Sequence, residues 1–151
     1  MPLPPPADPG SCQRVHVSFA RQAVMTTLGA TLEVAEAGRV VIVMAHKPEL
    51  PQQHGFLHAG IVSTALDSAC GYAALSLMPA DAAVLTIEFK VNLLAPARGP
   101  WFRFEGLVTK AGRTLSVVDG KAWQHEAGGE EILCATMTAT VMTVQGRGLT
   151  H

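Results

Sequence analysis

The sequence predicts an α+β fold, an antiparallel β-sheet wrapped around one long central helix. Three observations lead there. The stretch from His58 to about Leu77 is built from Ile, Val, Leu, Ala, Ser and Gly with a single acid, Asp67. It is apolar almost all round, and only burial on most sides suits such a helix. Two β-rich runs precede it and four follow, joined by short turns. Short connections make neighbouring strands antiparallel, and segregated helix and strand runs mark α+β rather than alternating α/β. Finally, 151 residues at 48% apolar composition suffice for one domain with a real core.

Each element can be justified in order. Residues 1–10 hold five prolines, so residues 1–12 are expected to form an extended or disordered lead. Ser11 is placed to cap a helix over Gln13–Leu28, where Val15, Phe19, Val24 and Leu28 roughly hold helical spacing and Gly29 supplies the C-terminal cap. Ala30–Ala37 and Arg39–His46 read as a hairpin about Ala37-Gly38. Pro48 and Pro51 then break regular structure and lead into the Gln52–Gly60 turn before the central helix. Along that helix Gly60, Ala65, Ala69, Gly71, Ala73 and Ala74 permit close approach of a sheet.

After the Pro79-Ala80-Asp81 turn, Leu85, Ile87, Phe89, Val91 and Leu93 alternate with Thr86, Glu88, Lys90 and Asn92. This is a period-2 strand with one face on a core and the other towards solvent or a partner. Ala95–Pro100 ends it. Trp101–Lys110 and Thr114–Trp123 are strands about Ala111-Gly112-Arg113, and Ile132–Val144 closes the sheet. Residues 13–146 are expected to form a single domain and 147–151 a flexible tail.

Composition excludes several functions. The net charge is −1 with Lys and Arg scattered, so no electrostatic footprint for nucleic acid or an anionic membrane is present. Charged residues make up only 15%, few for the surface of a small monomer, and this points to a homo-oligomer. Three widely spaced cysteines, Cys12, Cys70 and Cys134, form no CxxC or Cys/His ligand pattern. They read as reduced thiols of a cytoplasmic chain. The proline-rich start does not read as a signal peptide, and the polar residues within the central helix make it a poor candidate for a membrane span.

The chemistry concentrates in Gln52–Leu77. On the helix, Asp67 has Ser63, Thr64, Cys70 and Gly71 as its neighbours at three and four residues. These are small and leave room for substrate or water. A structural acid satisfied by Ser63, Thr64 or a partner chain and a catalytic carboxylate both fit this pattern. The amides of Ala59 and Gly60 fall where the first helical turn leaves N–H groups unsatisfied, so they can hold a developing oxyanion. His54 and His58 are four apart, but Gly55 and the loop spoil a metal pair and no third ligand stands nearby. No metal is expected, and His58 reads as a positioning residue. Gln52 and Gln53 are amides able to orient water or a carbonyl. No nucleophile elbow, phosphate loop or dinucleotide fingerprint occurs. Arg113, with Lys110 beside it, puts positive charge at a strand–strand turn.

His58-Ala59-Gly60, followed by Leu66-Asp67-Ser68-Ala69 and Gly71-Tyr72-Ala73-Ala74, resembles the hotdog-fold acyl-CoA thioesterases of the PaaI (phenylacetyl-CoA) type. The Thr86–Ala97 strand, the Gly112-Arg113-Thr114 turn and the Ala/Thr-rich last strand extend the resemblance over about residues 28–144. It implies Asp67 as general base or nucleophile, Ala59 as oxyanion amide, Gln52 as the amide that places thioester or water, and Thr86 as a strand hydroxyl at the site. Arg113 and Lys110 would contact CoA. Two positions depart from the family's pattern: alanine stands at 59 for the first glycine after the histidine, and Gln52 is one methylene longer than the usual asparagine. The resemblance further implies active sites shared across a dimer, often within a dimer of dimers, and no cofactor beyond the CoA of the substrate. The expected activity is therefore acyl-CoA thioester hydrolysis, with a non-catalytic acyl-CoA-binding protein and a hotdog enoyl-CoA hydratase or dehydratase as rivals.

Overall fold

The computed structural model describes residues 2–149 and 151. Helices α1 (Ser11–Arg21) and α2 (Ala23–Leu28) precede a hairpin of β1 (Thr31–Glu36) and β2 (Arg39–Ala45). Helix α3 (Ala59–Leu75) follows, then β3 (Ala83–Leu93), β4 (Trp101–Ala111), β5 (Leu115–His125) and β6 (Glu131–Val144). The six strands form one antiparallel sheet in the order β1-β2-β4-β5-β6-β3. Helix α3 packs against one face of it and touches β2 through β6. No helix among the described residues is long and apolar enough to cross a membrane.

Two glycines seat α3 on the sheet. Gly106 of β4 and Gly120 of β5 are cross-strand partners. A Cβ on Gly106 would stand 2.4 Å from the Ala69 carbonyl oxygen, and one on Gly120 would stand 3.0 Å from Cys70 Sγ. With Ala65, Ala69 and Ala73 fully buried on the helix side, backbone meets backbone, which only small residues permit. Phe102, Phe104, Ile42, Met44, Leu66, Leu75 and Met137 fill the space on either side of this contact. At the C-terminal end of α3, the Arg14 guanidinium donates to the carbonyls of Leu75, Met78 and Pro79. A cation there satisfies orphan acceptors and complements the helix dipole.

The N-terminal helix differs from the single one predicted over Gln13–Leu28. Gln22 takes an extended conformation (φ −80°, ψ 99°), ending α1 and capping α2. On one straight helix of ~3.6 residues per turn, Val15 and Leu28 would lie about 140° apart. The break lets both face the core, at 0% and 2% exposure. Ser11 is the first helical residue rather than the cap. Gly10 occupies the N-cap position, and its N–H donates to Asp8 Oδ1. Gly29 takes the left-handed conformation (φ 66°) expected of a C-terminal cap.

Strand β3 corrects a second expectation. Its pairing with β6 shifts register between Thr86 and Glu88, a bulge at Ile87 that inverts the side-chain phase. Beyond it, Phe89, Val91 and Leu93 pair with Ala139, Met137 and Ala135, which are buried beneath α3. Before it, Thr86 pairs with the equally buried Val141. Directly paired residues share a face, so Thr86 lies on the helix side while Leu85 is turned away. Because β3 is the sheet edge, its apolar residues stay open: Leu85, Ile87, Phe89 and Leu93 are 45–55% exposed.

Candidate active site

The turn before α3 is fixed by its own backbone. The Gln52 N–H donates to Phe56 O, the Gly55 N–H donates to Gln52 O, and Gly55 sits at φ +85°, a conformation that favours glycine. The N–H of Leu57 donates to Ala97 O and that of His58 to Leu50 O, which ties the turn to its surroundings. His58 is the N-cap of α3, and its Nδ1 accepts the Gly60 N–H at 2.8 Å. The neutral imidazole therefore carries its proton on Nε2. Ile61 and Val62 both donate to His58 O.

Of the two amides expected to hold an oxyanion, that of Gly60 is thus already engaged. Ala59 keeps an N–H without a protein partner among the described residues, at the positive end of the helix dipole. It lines a cleft of about 440 Å³ together with Gln52, Gln53, Phe56, Leu93, Leu94 and Cys134. Gln52 Oε1 accepts the His54 N–H, which leaves the Nε2 donors of Gln52 for that cleft. His58 contributes the cap, as a positioning residue does.

Asp67 lies on the same helix but opens elsewhere. Ser63 and Thr64 donate back to the helix carbonyls of Ala59 and Gly60, so neither satisfies the acid. Thr86 does: its Oγ1 donates to Asp67 Oδ1 at 2.7 Å, a contact made possible by the bulge that turns Thr86 towards α3. The other carboxylate oxygen has no protein partner among the described residues. Asp67 and Thr86 border a second cleft, of about 330 Å³, with Gln22, Ser68, Tyr72 and Leu85.

Sequence reasoning missed the polar wall of this second cleft. Ser68 Oγ donates to Gln22 Oε1 at 3.2 Å, and Ser18 Oγ lies 3.2 Å from Tyr72 Oη. The Val84 N–H donates to His151 Nε2, so the proton of that ring is on Nδ1, which donates to Ser18 Oγ at 2.9 Å. Ser18 then has its own hydrogen for Tyr72. The phenol pKa is raised by burial, against a lowering from the Ser18 hydrogen bond, so Tyr72 remains a protonated donor at neutral pH. Burial, with the charges of Arg14 and Arg21, lowers the pKa of His151. Gln22 gave no sequence signal because it looks like a surface position on a continuous helix.

Two thiols near the site are inert. Burial, reinforced by the charges of Asp67 and Asp119, pushes Cys70 up to about 12. Burial pushes Cys134, in the wall of the first cleft, up to about 11. Neither supplies a thiolate at neutral pH.

One chain does not bring the predicted residues together. From Ala59 to Asp67 the helix rises ~12 Å at 1.5 Å per residue, and the two residues open into separate clefts. Arg113 lines a third, beside Pro4, Pro5, Leu77 and Thr143, and neither Arg113 nor Lys110 borders the first two. No group of three or more potential metal ligands occurs among the described residues.

Comparison with known proteins bears on the family and the fold. The family model of the thioesterase superfamily matches residues 54–130. A thioesterase family protein from Silicibacter pomeroyi is 58% identical, with a TM-score of 0.89 over 91% of this chain and 100% of that one. The PaaI protein of the E. coli phenylacetic acid degradation operon, at 18% identity, has a TM-score of 0.81 over 90% and 94% of the two chains. The architecture is the hotdog fold. Two candidate esterases of Saccharolobus solfataricus also match. One is 30% identical over 86% of this chain and 83% of that protein, and the other is 41% identical over 56% and 59%.

Proposed function

Because the chain belongs to the thioesterase superfamily and is a hydrolase, we propose that it hydrolyses an acyl-CoA thioester in sites completed by two copies of itself. One observation carries the reading. Asp67 has one oxygen held by Thr86, the other uncommitted and facing a cleft, while the free Ala59 amide opens into a different cleft of the same chain. A second copy docked along the open apolar edge of β3 brings the Ala59 amide of one chain to the Asp67 of the other. Pairing there also covers the exposed Leu85, Ile87, Phe89 and Leu93, as an unpaired apolar edge requires.

In that site the thioester carbonyl oxygen rests on the Ala59 N–H, with the Gln52 amide positioning water or carbonyl. Thr86 fixes the Asp67 carboxylate through Oδ1, and the free oxygen takes a proton from water as the water oxygen bonds to the carbonyl carbon. The Ala59 amide and the helix dipole stabilise the resulting oxyanion. The intermediate collapses with loss of the C–S bond, and the proton on Asp67 passes to the sulfur, giving free acid and CoA. Direct attack by Asp67 would give a mixed anhydride that water then opens. In a single turnover in ¹⁸O-water, attack of that water on the Asp67 carbonyl leaves label in Asp67, which direct attack of water on the thioester never does, so label in Asp67 marks the anhydride route. No cofactor is needed beyond the CoA of the substrate.

The sharing of sites is tested by complementation. Asp67→Asn and Ala59→Pro chains are each expected to be nearly inactive alone. Unfolded, mixed and refolded in equal amounts, they should regain about a quarter of wild-type activity, because half the dimers are mixed and each has one intact site of two. No recovery in a mixture shown by mass spectrometry to contain the heterodimer would place both residues in one chain's site.

A further inference from the structure

The segment that follows β6 reaches back into the Asp67 cleft. Residues 145–149 are exposed, and Gly146 and Gly148 turn the chain at φ 68° and 71°. The Gln145 side chain donates to Asp81 Oδ1, and no hydrogen bond ties residues 146–149 to the other described residues. His151 is nevertheless half-buried. Its Nε2 accepts the Val84 N–H at 2.9 Å, and its Nδ1 donates to Ser18 Oγ. The imidazole anchors a segment that little else holds.

The ring also stands between two spaces. It borders the Asp67 cleft and a recess of about 260 Å³ that is lined by Ser18, Arg21, Gln22 and Tyr72 as well. Gln22, Tyr72 and His151 border both, so these three form the partition. Gln22 is fixed by Ser68, and Tyr72 belongs to α3. His151 is the member that can withdraw, and its withdrawal would join the space beside Asp67 to the recess at Arg21.

The seat requires a neutral ring. Protonation puts a hydrogen on Nε2, and the Val84 N–H would then meet a donor in place of its acceptor. Burial opposes a positive charge here, as do Arg14 and Arg21 on α1, and together they lower the pKa of the seated ring. On α3, Tyr72 stays protonated, and Asp67 favours the cation without reversing that direction. Strand β3 presents Val84, Leu85 and Thr86, which carry no charge. A withdrawn ring in water has the ordinary histidine pKa of about 6.5, above that of the seated one. Protons therefore favour withdrawal as the pH falls below about 6.5.

We infer that His151 is a proton-released stopper of the Asp67 cleft: neutral, it closes the cleft towards Arg21 and holds turnover down; protonated, it withdraws and frees the cleft. The effect on turnover rests on the acyl-CoA thioesterase reading above.

The test compares the full wild-type chain with His151→Ala, which has no stopper, and His151→Gln. The carboxamide of the latter can accept from Val84 and donate to Ser18 but does not titrate. Between pH 5.5 and 8, hydrogen exchange of the Val84 amide is followed, corrected for its intrinsic pH dependence. Over the same range kcat/KM is measured as CoA release from hexanoyl-CoA and benzoyl-CoA. At pH 8 the Val84 amide should exchange about 10-fold faster in His151→Ala than in the wild type. The same variant should show ~3–30-fold higher kcat/KM, as expected when two hydrogen bonds hold the closed form. Acidification should bring the wild type towards His151→Ala in both measurements and leave His151→Gln closed. Val84 exchange indifferent to His151→Ala, equal or lower turnover in that variant at pH 8, or a His151→Gln chain that opens on acidification as the wild type does would overturn the inference. If none of these chains hydrolyses either acyl-CoA while Val84 exchange behaves as stated, the stopper stands and the acyl-CoA reading is what fails.

Discussion

The two parts of α3 that enter the proposed site would supply different kinds of chemistry. Its first turn offers a backbone group, the Ala59 N–H, while its third turn offers a side chain, Asp67. A backbone donor is indifferent to the residue that carries it provided the helix starts in the same place. Here the start is set by the His58 cap and by the backbone ties of Leu57 and His58 to Ala97 and Leu50. A carboxylate, by contrast, depends on its own atoms and on Thr86 across the gap. The helix start therefore makes little demand on the side chain at 59, whereas position 67 should accept no substitute for the carboxylate.

The largest effect should come from the side-chain half. Asp67→Asn preserves shape and the hydrogen bond from Thr86 but removes the proton acceptor. Loss of a positioned base is expected to lower kcat by ~10²–10⁴-fold, measured as free-thiol release, with the oligomer intact by size-exclusion chromatography. Near wild-type turnover would mean that this helix contributes only its N-terminus.

The backbone half makes a paired prediction. Ala59 is the first residue of α3, where proline is well accepted because its missing N–H is one the helix does not use. Ala59→Pro should keep the fold and lower kcat by ~10²-fold, the usual value of one oxyanion donor. Ala59→Gly keeps the N–H and should stay within about 3-fold, since glycine at a helix start costs little. Equal losses in the two variants would tie the role to the alanine side chain and break the comparison.

These parts were not equally legible in the sequence. Helix α3 announced itself because its composition admits no exposed face, and Asp67 stood out for the same reason. Thr86 did not follow from pattern: strict alternation sets it opposite Phe89, Val91 and Leu93, and only the bulge at Ile87 brings it to the helix side. A bulge leaves the run of residue types unchanged, so period-2 reasoning has no means of detecting one. The break at Gln22 was hidden likewise, with no glycine or proline to mark it. It arises from the need to bury Val15 and Leu28 together, a tertiary demand. His58 could be read as positioning, but that it consumes the Gly60 amide depends on a ring orientation no spacing specifies. The separation of Ala59 from Asp67 was implicit in the helical rise, yet its meaning emerged only when each residue was seen to face a different cleft.

The smallest effect tests whether the first cleft really lacks a reactive side chain. Cys134 lines it and carries a thiol that would be a rival nucleophile there. Burial raises its pKa to about 11; the thiolate is therefore disfavoured below that pH and gains population only as the pH approaches it. The thiol is also 2% exposed and donates to Ala122 O. Iodoacetamide applied to the native protein at pH 8 should accordingly spare Cys134, and the fully buried Cys70 with it. Any adduct should fall on the half-buried Cys12, with turnover unchanged. Peptide mass spectrometry locates the adduct. Inactivation that tracks carbamidomethylation of Cys134 would show a nucleophile in the amide-bearing cleft, and the division between a backbone half and a side-chain half would no longer hold.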